Sequence, residues 1–128
     1  MKTSRENLVR LKLFNVNHKR RRVAQLDGMI AEFERMAVEL DAQIISEETK
    51  AGITDQSHFA YPTFAKAARL RRDNLRTSQM ELMQEREQAL AELAIMEDEL
   101  KKAEALEMRD GRSTATRGSE PATRVAAG

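Results

Sequence analysis

The residues that could do chemistry in this chain are few and widely spaced. His18 and His58 are the two histidines, there is no cysteine, and the carboxylates are scattered through segments rich in Ala, Leu, Lys and Arg. A metal site or a general acid–base pair needs such groups close together, and no Gly-rich phosphate loop is present. The sequence therefore predicts no catalytic residue and no metal, cofactor or small-molecule substrate.

The sharpest charged feature is the basic run from His18 to Arg22, which reads His-Lys-Arg-Arg-Arg. It could bind an acidic protein surface, a phosphate backbone or an anionic membrane. It could equally balance carboxylates on a neighbouring helix, for which the candidates are Glu85, Glu87, Glu92 and Glu97. Nucleic acid is the weakest of these partners, because the formal net charge is only +1 and no aromatic residues are interleaved with the cations.

The elements that must position these groups are long helices. Ala, Glu, Lys, Leu and Arg make up about half of the 128 residues, whereas aromatic residues make up 4% and there are two prolines. That composition is typical of a long helix or a coiled coil. No apolar run reaches the roughly 18 residues of a membrane span, and the N-terminus lacks the apolar centre of a secretory signal. A soluble, mainly helical chain is expected.

The predicted organisation is one helical domain, 1–110, followed by a tail, 111–128. Within the domain we expect helix 1 at about 3–51, a connection at 52–61 and helix 2 at about 62–109. The tail is rich in Gly, Ser, Thr, Ala and Arg, and this composition predicts disorder.

Local signals mark the helix ends. Thr3 and Glu6 have the spacing of a capping box at the start of helix 1. Gly52 suits the left-handed conformation that ends a helix, and Pro62 is tolerated in a first helical turn. Gly28 falls at an outward position of helix 1, where it costs about 1 kcal/mol relative to Ala.

A seven-residue apolar repeat runs along both helices. One heptad position of helix 1 holds Val9, Val16, Val23, Ile30, Ala37, Ile44 and Ala51. The facing position of helix 2 holds Ala68, Leu75, Leu82, Ala89, Met96 and Ala103. Strict seven-residue spacing is typical of a left-handed supercoil, and a short connection makes neighbouring helices antiparallel. The predicted fold is all-α: two long helices in an antiparallel left-handed coiled-coil hairpin, in which residues whose numbers sum to 112 face each other.

Charge supports the same pairing. The net charges of successive blocks are +7 for residues 1–22, −5 for 23–51, +4 for 62–79 and −6 for 80–110. In an antiparallel hairpin each basic block lies beside an acidic one. The layers between the apolar ones are mixed, as where Gln79 faces Phe33, and long polar side chains there are expected to reach outward.

Apolar residues outside the seam form two candidate partner surfaces. Leu8, Leu11 and Phe14 lie three residues apart on the outer face of helix 1, where a partner would explain them. The second group, at the connection, consists of Phe59, Tyr61 and Phe64. These aromatic residues either plug the tip of the hairpin or form a recognition patch.

Several stretches resemble the bacterial flagellar export protein FliJ family. They are Ser4-Arg-Glu-Asn-Leu-Val-Arg-Leu-Lys, Arg22-Val-Ala-Gln, Ile30-Ala-Glu-Phe-Glu-Arg-Met, and His58-Phe-Ala-Tyr-Pro-Thr-Phe-Ala-Lys-Ala-Ala with Arg72-Asp-Asn-Leu. The resemblance covers roughly residues 4–108 and not the tail. The stretch from His58 to Ala68 is its most specific part, since heptads resemble one another by composition.

The resemblance implies a non-enzymatic, cytoplasmic component of the flagellar type III export apparatus, peripherally associated with the inner membrane at the flagellar base. Family members are coiled-coil hairpins similar to the central stalk of rotary ATPases, and they bind the hexameric export ATPase, the membrane export gate and export chaperones. Carried over to this chain, the ATPase-binding end would hold Leu8, Leu11, Phe14, Lys19, Arg20, Arg21 and Arg22. The gate-binding end would hold Phe59, Tyr61, Phe64 and Ala68.

Two other classes remain open on the residues alone. A general coiled-coil scaffold or chaperone would bind exposed apolar segments of other proteins. A nucleic-acid-binding hairpin would use the basic run and would bind with a steep salt dependence. Four methionines could contribute to a chaperone surface, namely Met29, Met36, Met80 and Met83. Packing between the helices is the favoured explanation for them.

Overall fold

The structure, a computed structural model, describes the backbone of residues 3–127 and the side chains of residues 3–111. The described residues form two helices and no strand: α1 (Ser4–Ala51) and α2 (Thr63–Ala127). The predicted disordered tail lies, beyond Gly111, outside the residues whose side chains are described. Neither helix contains, within the described residues, a stretch long and apolar enough to cross a membrane.

Both ends of α1 are capped as the sequence predicts. The Glu6 N–H donates to Thr3 Oγ1 at 3.1 Å, and the Thr3 N–H donates to Glu6 Oε2 at 3.3 Å. Gly52 has a φ of 69°, and the N–H of Ile53 reaches back to the carbonyl of Glu48 at 3.2 Å. A glycine at this position satisfies the last carbonyls of the helix without a Cβ clash.

The connection is held by its own turns. The Asp55 carboxylate accepts hydrogen bonds from the Ser57 N–H at 3.0 Å and from the Ser57 hydroxyl at 2.7 Å. The N–H of Lys66 donates to the carbonyl of Pro62 at 3.1 Å, so Pro62 caps α2 and the helix begins one residue later than predicted. Because Pro lacks an N–H, it occupies this position without losing a helical hydrogen bond.

The chain divides into two compact units, residues 1–21 with 90–128 and residues 22–89. In the first unit, Val16 and Ala103 are buried between the helices. In the second unit, the fully buried Leu26 and Ala37 belong to the same seam, and a cluster is formed by Leu40, Ile44, Ala68 and Leu75. Six of these residues belong to the predicted seven-residue series, namely Val16, Ala37, Ile44, Ala68, Leu75 and Ala103. The prediction of an all-α fold with two long antiparallel helices is confirmed.

One mixed layer differs from its prediction. Gln79 does not reach outward but is buried, and its amide donates to the carbonyl of Ile30 at 3.3 Å and to Glu34 Oε2 at 2.9 Å. Its own carbonyl oxygen accepts from Arg76 Nη1 at 3.0 Å. The side chain stays inside because each of its polar groups finds a partner there.

Candidate partner-binding surfaces

The outer face of α1 in the first unit carries an uncovered apolar strip. Leu8, Leu11 and Phe14 lie off the seam, and Leu11 and Phe14 are 56% and 61% exposed. The Phe14 ring stacks on His18, with ring centroids 6.3 Å apart and planes 24° from parallel. Burying large apolar side chains is worth about 1.5–3 kcal/mol each, so covering this strip with a partner would be favourable.

The basic run is largely balanced by α2. In the first unit, Lys19 Nζ lies 2.6 Å from Glu92 and Arg20 Nη2 lies 3.9 Å from Glu97. In the second unit, Arg22 Nη2 lies 2.6 Å from a carboxylate oxygen of α2, that of Glu85. The charge-balancing alternative is thus confirmed for three of the four cations, through three of the four predicted carboxylates.

Arg21 is the cation left over. It is exposed, and no described carboxylate lies within ion-pair distance of it. Four consecutive residues point around a helix at 100° steps, so one of the four necessarily faces away from α2. Arg21 therefore presents a positive charge to solvent seven residues after Phe14, on the same face.

The residues predicted at the export-gate end divide into two pairs. Phe59 is 97% exposed, with its ring stacked on His58 at a centroid distance of 4.7 Å, and Phe64 is 56% exposed. Tyr61 and Ala68, in contrast, are buried. Tyr61 thus plugs the tip of the hairpin, as one of the two alternatives predicts, while Phe59 and Phe64 remain exposed.

Tyr61 is fixed by a three-membered polar network. Its hydroxyl donates to Glu48 Oε2 at 2.9 Å and accepts from Arg69 Nε at 2.8 Å. Arg69 Nη2 also donates to Glu48 Oε2 at 3.0 Å. The hydrogen bond from Arg69 holds the pKa of Glu48 below its ordinary value, burial opposes this, and the Tyr61 hydroxyl reinforces the lowering.

A ladder of ion pairs in the second unit was missed by sequence reasoning. Every seventh residue of α1 is acidic in the series Asp27, Glu34, Asp41 and Glu48. Each pairs with an arginine of α2, and the four pairs are Asp27–Arg86, Glu34–Arg76, Asp41–Arg72 and Glu48–Arg69. These pairs could have been predicted from the charges at the heptad position beside the seam, which the search for apolar residues does not consider.

The ladder reverses the polarity found in the first unit. There α1 supplies the cations, as in the Lys12–Glu99 pair at 2.9 Å and the Arg5–Asp110 pair at 2.8 Å. Reversal of sign along each helix penalises a parallel pairing and a shifted register, because like charges would then meet. The charged flanks therefore specify the antiparallel alignment.

Among the described residues, no group of three His, Cys, Asp or Glu side chains is placed to hold a metal ion. The uncovered features are apolar strips and single charges on helix surfaces. Such features bind proteins through complementary packing. Their chemistry suits contact with another protein.

Comparison of the chain with protein-family models, with curated proteins and with solved structures finds no match in any of the three. The similarity to the flagellar export family thus rests on the quoted sequence stretches.

Proposed function

We propose that the chain is a non-enzymatic stalk component of the flagellar type III export apparatus. It binds the export ATPase ring through one group of residues and the membrane export gate through another, escorts export chaperones, and acts at the cytoplasmic face of the membrane. The observation that carries the proposal is the uncovered strip of Leu8, Leu11 and Phe14, followed on the same face by the unpaired Arg21. Its sequence lies in and next to the first stretch that resembles the FliJ family.

The chemistry of this strip suits docking into a protein ring. A few well-packed side chains, rich in aromatic residues and arginine, supply most of the binding energy of a protein interface, and an adjacent charge speeds and orients the encounter. A helix that enters a ring asymmetrically can favour some subunit conformations over others. The chain would then change the ATPase rate without contributing a catalytic group.

The proposed gate contact is narrower than the sequence alone suggests. Phe59 and Phe64 are exposed, whereas Tyr61 and Ala68 are buried and would act by holding the connection in shape. We therefore assign the direct contact with the gate to Phe59 and Phe64.

The test is the ATP turnover of the cognate flagellar export ATPase with and without the purified full chain. We expect stimulation and co-elution, both lost in a Leu11→Gln/Phe14→Gln double variant and weakened by Arg21→Glu. Ile95→Gln, at an equally exposed apolar residue of the same unit, should leave both intact. Arg21 is a cleaner target than the whole run, because its neighbours hold carboxylates of α2.

Wild-type chain that neither changes the turnover nor co-elutes with the ATPase would refute the proposal. Loss of the effect in Ile95→Gln as well would show that general apolar exposure, and not the Leu8–Phe14 strip, is responsible.

A general scaffold or chaperone is the second candidate, and the exposed methionines favour it. Met29, Met80 and Met83 are 42%, 62% and 53% exposed. They are therefore not packed between the helices, contrary to the expectation from the sequence. Flexible methionine surfaces suit promiscuous recognition. This candidate predicts suppression of aggregation of an unrelated unfolded protein, reduced by Met80→Gln/Met83→Gln and unaffected by Leu11→Gln/Phe14→Gln.

A further inference from the structure

A second seven-residue repeat lies on the face of α1 that α2 does not cover. Its members alternate in steps of four and three residues, and they are Ala24, Gly28, Ala31, Arg35, Val38, Ala42, Ile45 and Thr49. All eight are exposed, with Val38 at 53% and Ile45 at 64%. Alternating steps of four and three are what brings one helix into continuous contact with another. We call this set the outer seam, and it lies wholly within the unit of residues 22–89.

The two polar members of the outer seam are satisfied within their own helix. The Thr49 hydroxyl donates to the carbonyl of Ile45 at 2.7 Å. The Arg35 guanidinium lies between Glu32 and Glu39, with its Nη1 2.7 Å from Glu39. Covering the outer seam would therefore leave neither group without a partner.

Most charges beside the outer seam are paired within the chain. On one side lie the acidic residues of the ladder, each paired with an arginine of α2. On the other side, Glu32 and Glu39 share Arg35, so this side keeps one net negative charge. On the ladder side, a second copy with the same internal pairing can approach without leaving a charge uncompensated.

The sizes of the side chains are complementary when the outer seam is read against itself in the opposite direction. Placing Ile45 opposite Gly28 also places Ala42 opposite Ala31 and Thr49 opposite Ala24. Val38 then meets the aliphatic stem of Arg35. Each layer therefore holds either a large residue opposite a smaller one or two small residues. A two-fold axis produces each contact twice.

Gly28 gains an explanation from this arrangement. A Cβ built at Gly28 meets no atom within 4 Å, so nothing in its own chain requires a glycine there, and its backbone is helical. An exposed helical glycine nonetheless lowers helix stability. A large side chain arriving from a second helix, Ile45 of another copy, needs the space that Gly28 leaves.

We propose that two copies of this chain associate through their outer seams, as an antiparallel two-fold pair of α1 helices centred between Arg35 and Val38. The proposal is independent of the export function, because none of the eight residues belongs to the surfaces assigned to the ATPase or the gate.

The first test is the mass of the full chain by sedimentation equilibrium from low to high micromolar concentration. We expect a monomer–dimer equilibrium that Val38→Gln/Ile45→Gln weakens at least about tenfold. Both side chains are exposed, so the variant should fold normally. Leu70→Gln, at a 65% exposed residue of α2 in the same unit, is the matched control and should not change the equilibrium.

The second test determines register and direction. The chain has no cysteine, so single-cysteine variants report one contact each. A mixture of Ala31→Cys and Ala42→Cys should oxidise to the mixed disulfide, because these residues share a layer. Neither variant should cross-link with itself. The same residue in the two copies would be offset by eleven residues along the helix axis, about 16 Å, whereas the Cα atoms of a disulfide lie roughly 4.4–6.8 Å apart.

A chain that stays monomeric throughout the concentration range overturns the proposal and leaves the outer seam to a different protein. A dimer indifferent to Val38→Gln/Ile45→Gln also overturns it. Cross-linking of each single variant with itself would indicate a parallel dimer and is equally incompatible.

Discussion

The hydroxyl of Tyr61 donates a hydrogen bond of 2.9 Å to Glu48 Oε2, joining the end of the connection to the last turn of α1. Both residues are buried. Because Arg69 bonds to both partners, this network ties the connection to the end of α1 and to the start of α2. The exposed Phe59 and Phe64 are thereby presented from a fixed turn.

Tyr61→Phe removes the hydroxyl from this network and keeps the ring. We expect the free energy of unfolding to fall by about 1–2 kcal/mol, since a buried hydrogen bond to a charged group is lost. Urea titration followed by circular dichroism measures it. Phe59→Ala, at a residue almost fully exposed, should change stability by less than about 0.5 kcal/mol. Equal effects of the two changes would contradict the role given to the Tyr61 hydroxyl.

Glu48 should make stability depend on pH in acid. Its pKa is lowered in the folded chain, chiefly by Arg69, from the ordinary value of 4.5. A carboxylate with a lowered folded pKa stabilises the fold above its unfolded pKa, and that contribution is lost as the pH falls through the folded pKa. The difference in stability between wild type and Glu48→Gln should therefore be constant near neutral pH and should shrink below about pH 4.5. A difference that stays constant down to pH 3 would show that Glu48 is not preferentially ionised in the fold.

The ion pair of Lys19 with Glu92, at 2.6 Å, allows a charge-reversal test of the alignment. Lys19→Glu and Glu92→Lys should each destabilise the chain, and the double variant should recover part of the loss. For a partly exposed pair the recovery should be about 0.5–1 kcal/mol. A double-mutant cycle measures it, at low and high salt, and no coupling at low salt would mean that the pair does not help to specify the register.

Gly28→Ala should stabilise the monomeric chain. No atom lies within 4 Å of the added Cβ, and replacing a helical glycine by alanine is worth about 0.5–1 kcal/mol. Thermal or urea unfolding at concentrations below the dimerisation range gives the value. Ala31→Gly, an exposed residue on the same face, is the matched control and should change stability by a similar amount in the opposite direction. A destabilising Gly28→Ala would show that the glycine serves a purpose within its own chain.

The sequence by itself determined the two helices, both ends of α1 and the pairing of the helices. The seven-residue series from Val9 to Ile44 can bury its members along one stripe only if the helix is continuous. Thr3, Glu6 and Gly52 act through neighbours in the chain, so their capping roles follow from spacing alone. Alternating blocks of charge indicated the antiparallel direction, because their effect depends on the order of positive and negative blocks along the chain and not on atomic detail.

Only the tertiary structure decided which side chains are left for partners. Tyr61 and Phe59 are two residues apart and both aromatic, yet one is buried against Glu48 and the other is almost fully exposed. Arg21 and Arg22 are adjacent and identical, yet a carboxylate of α2 lies beside one of them. Whether a side chain is buried or paired depends on the direction in which it leaves its helix relative to α2. Residue type alone does not specify that direction, which is fixed only when the two helices pack.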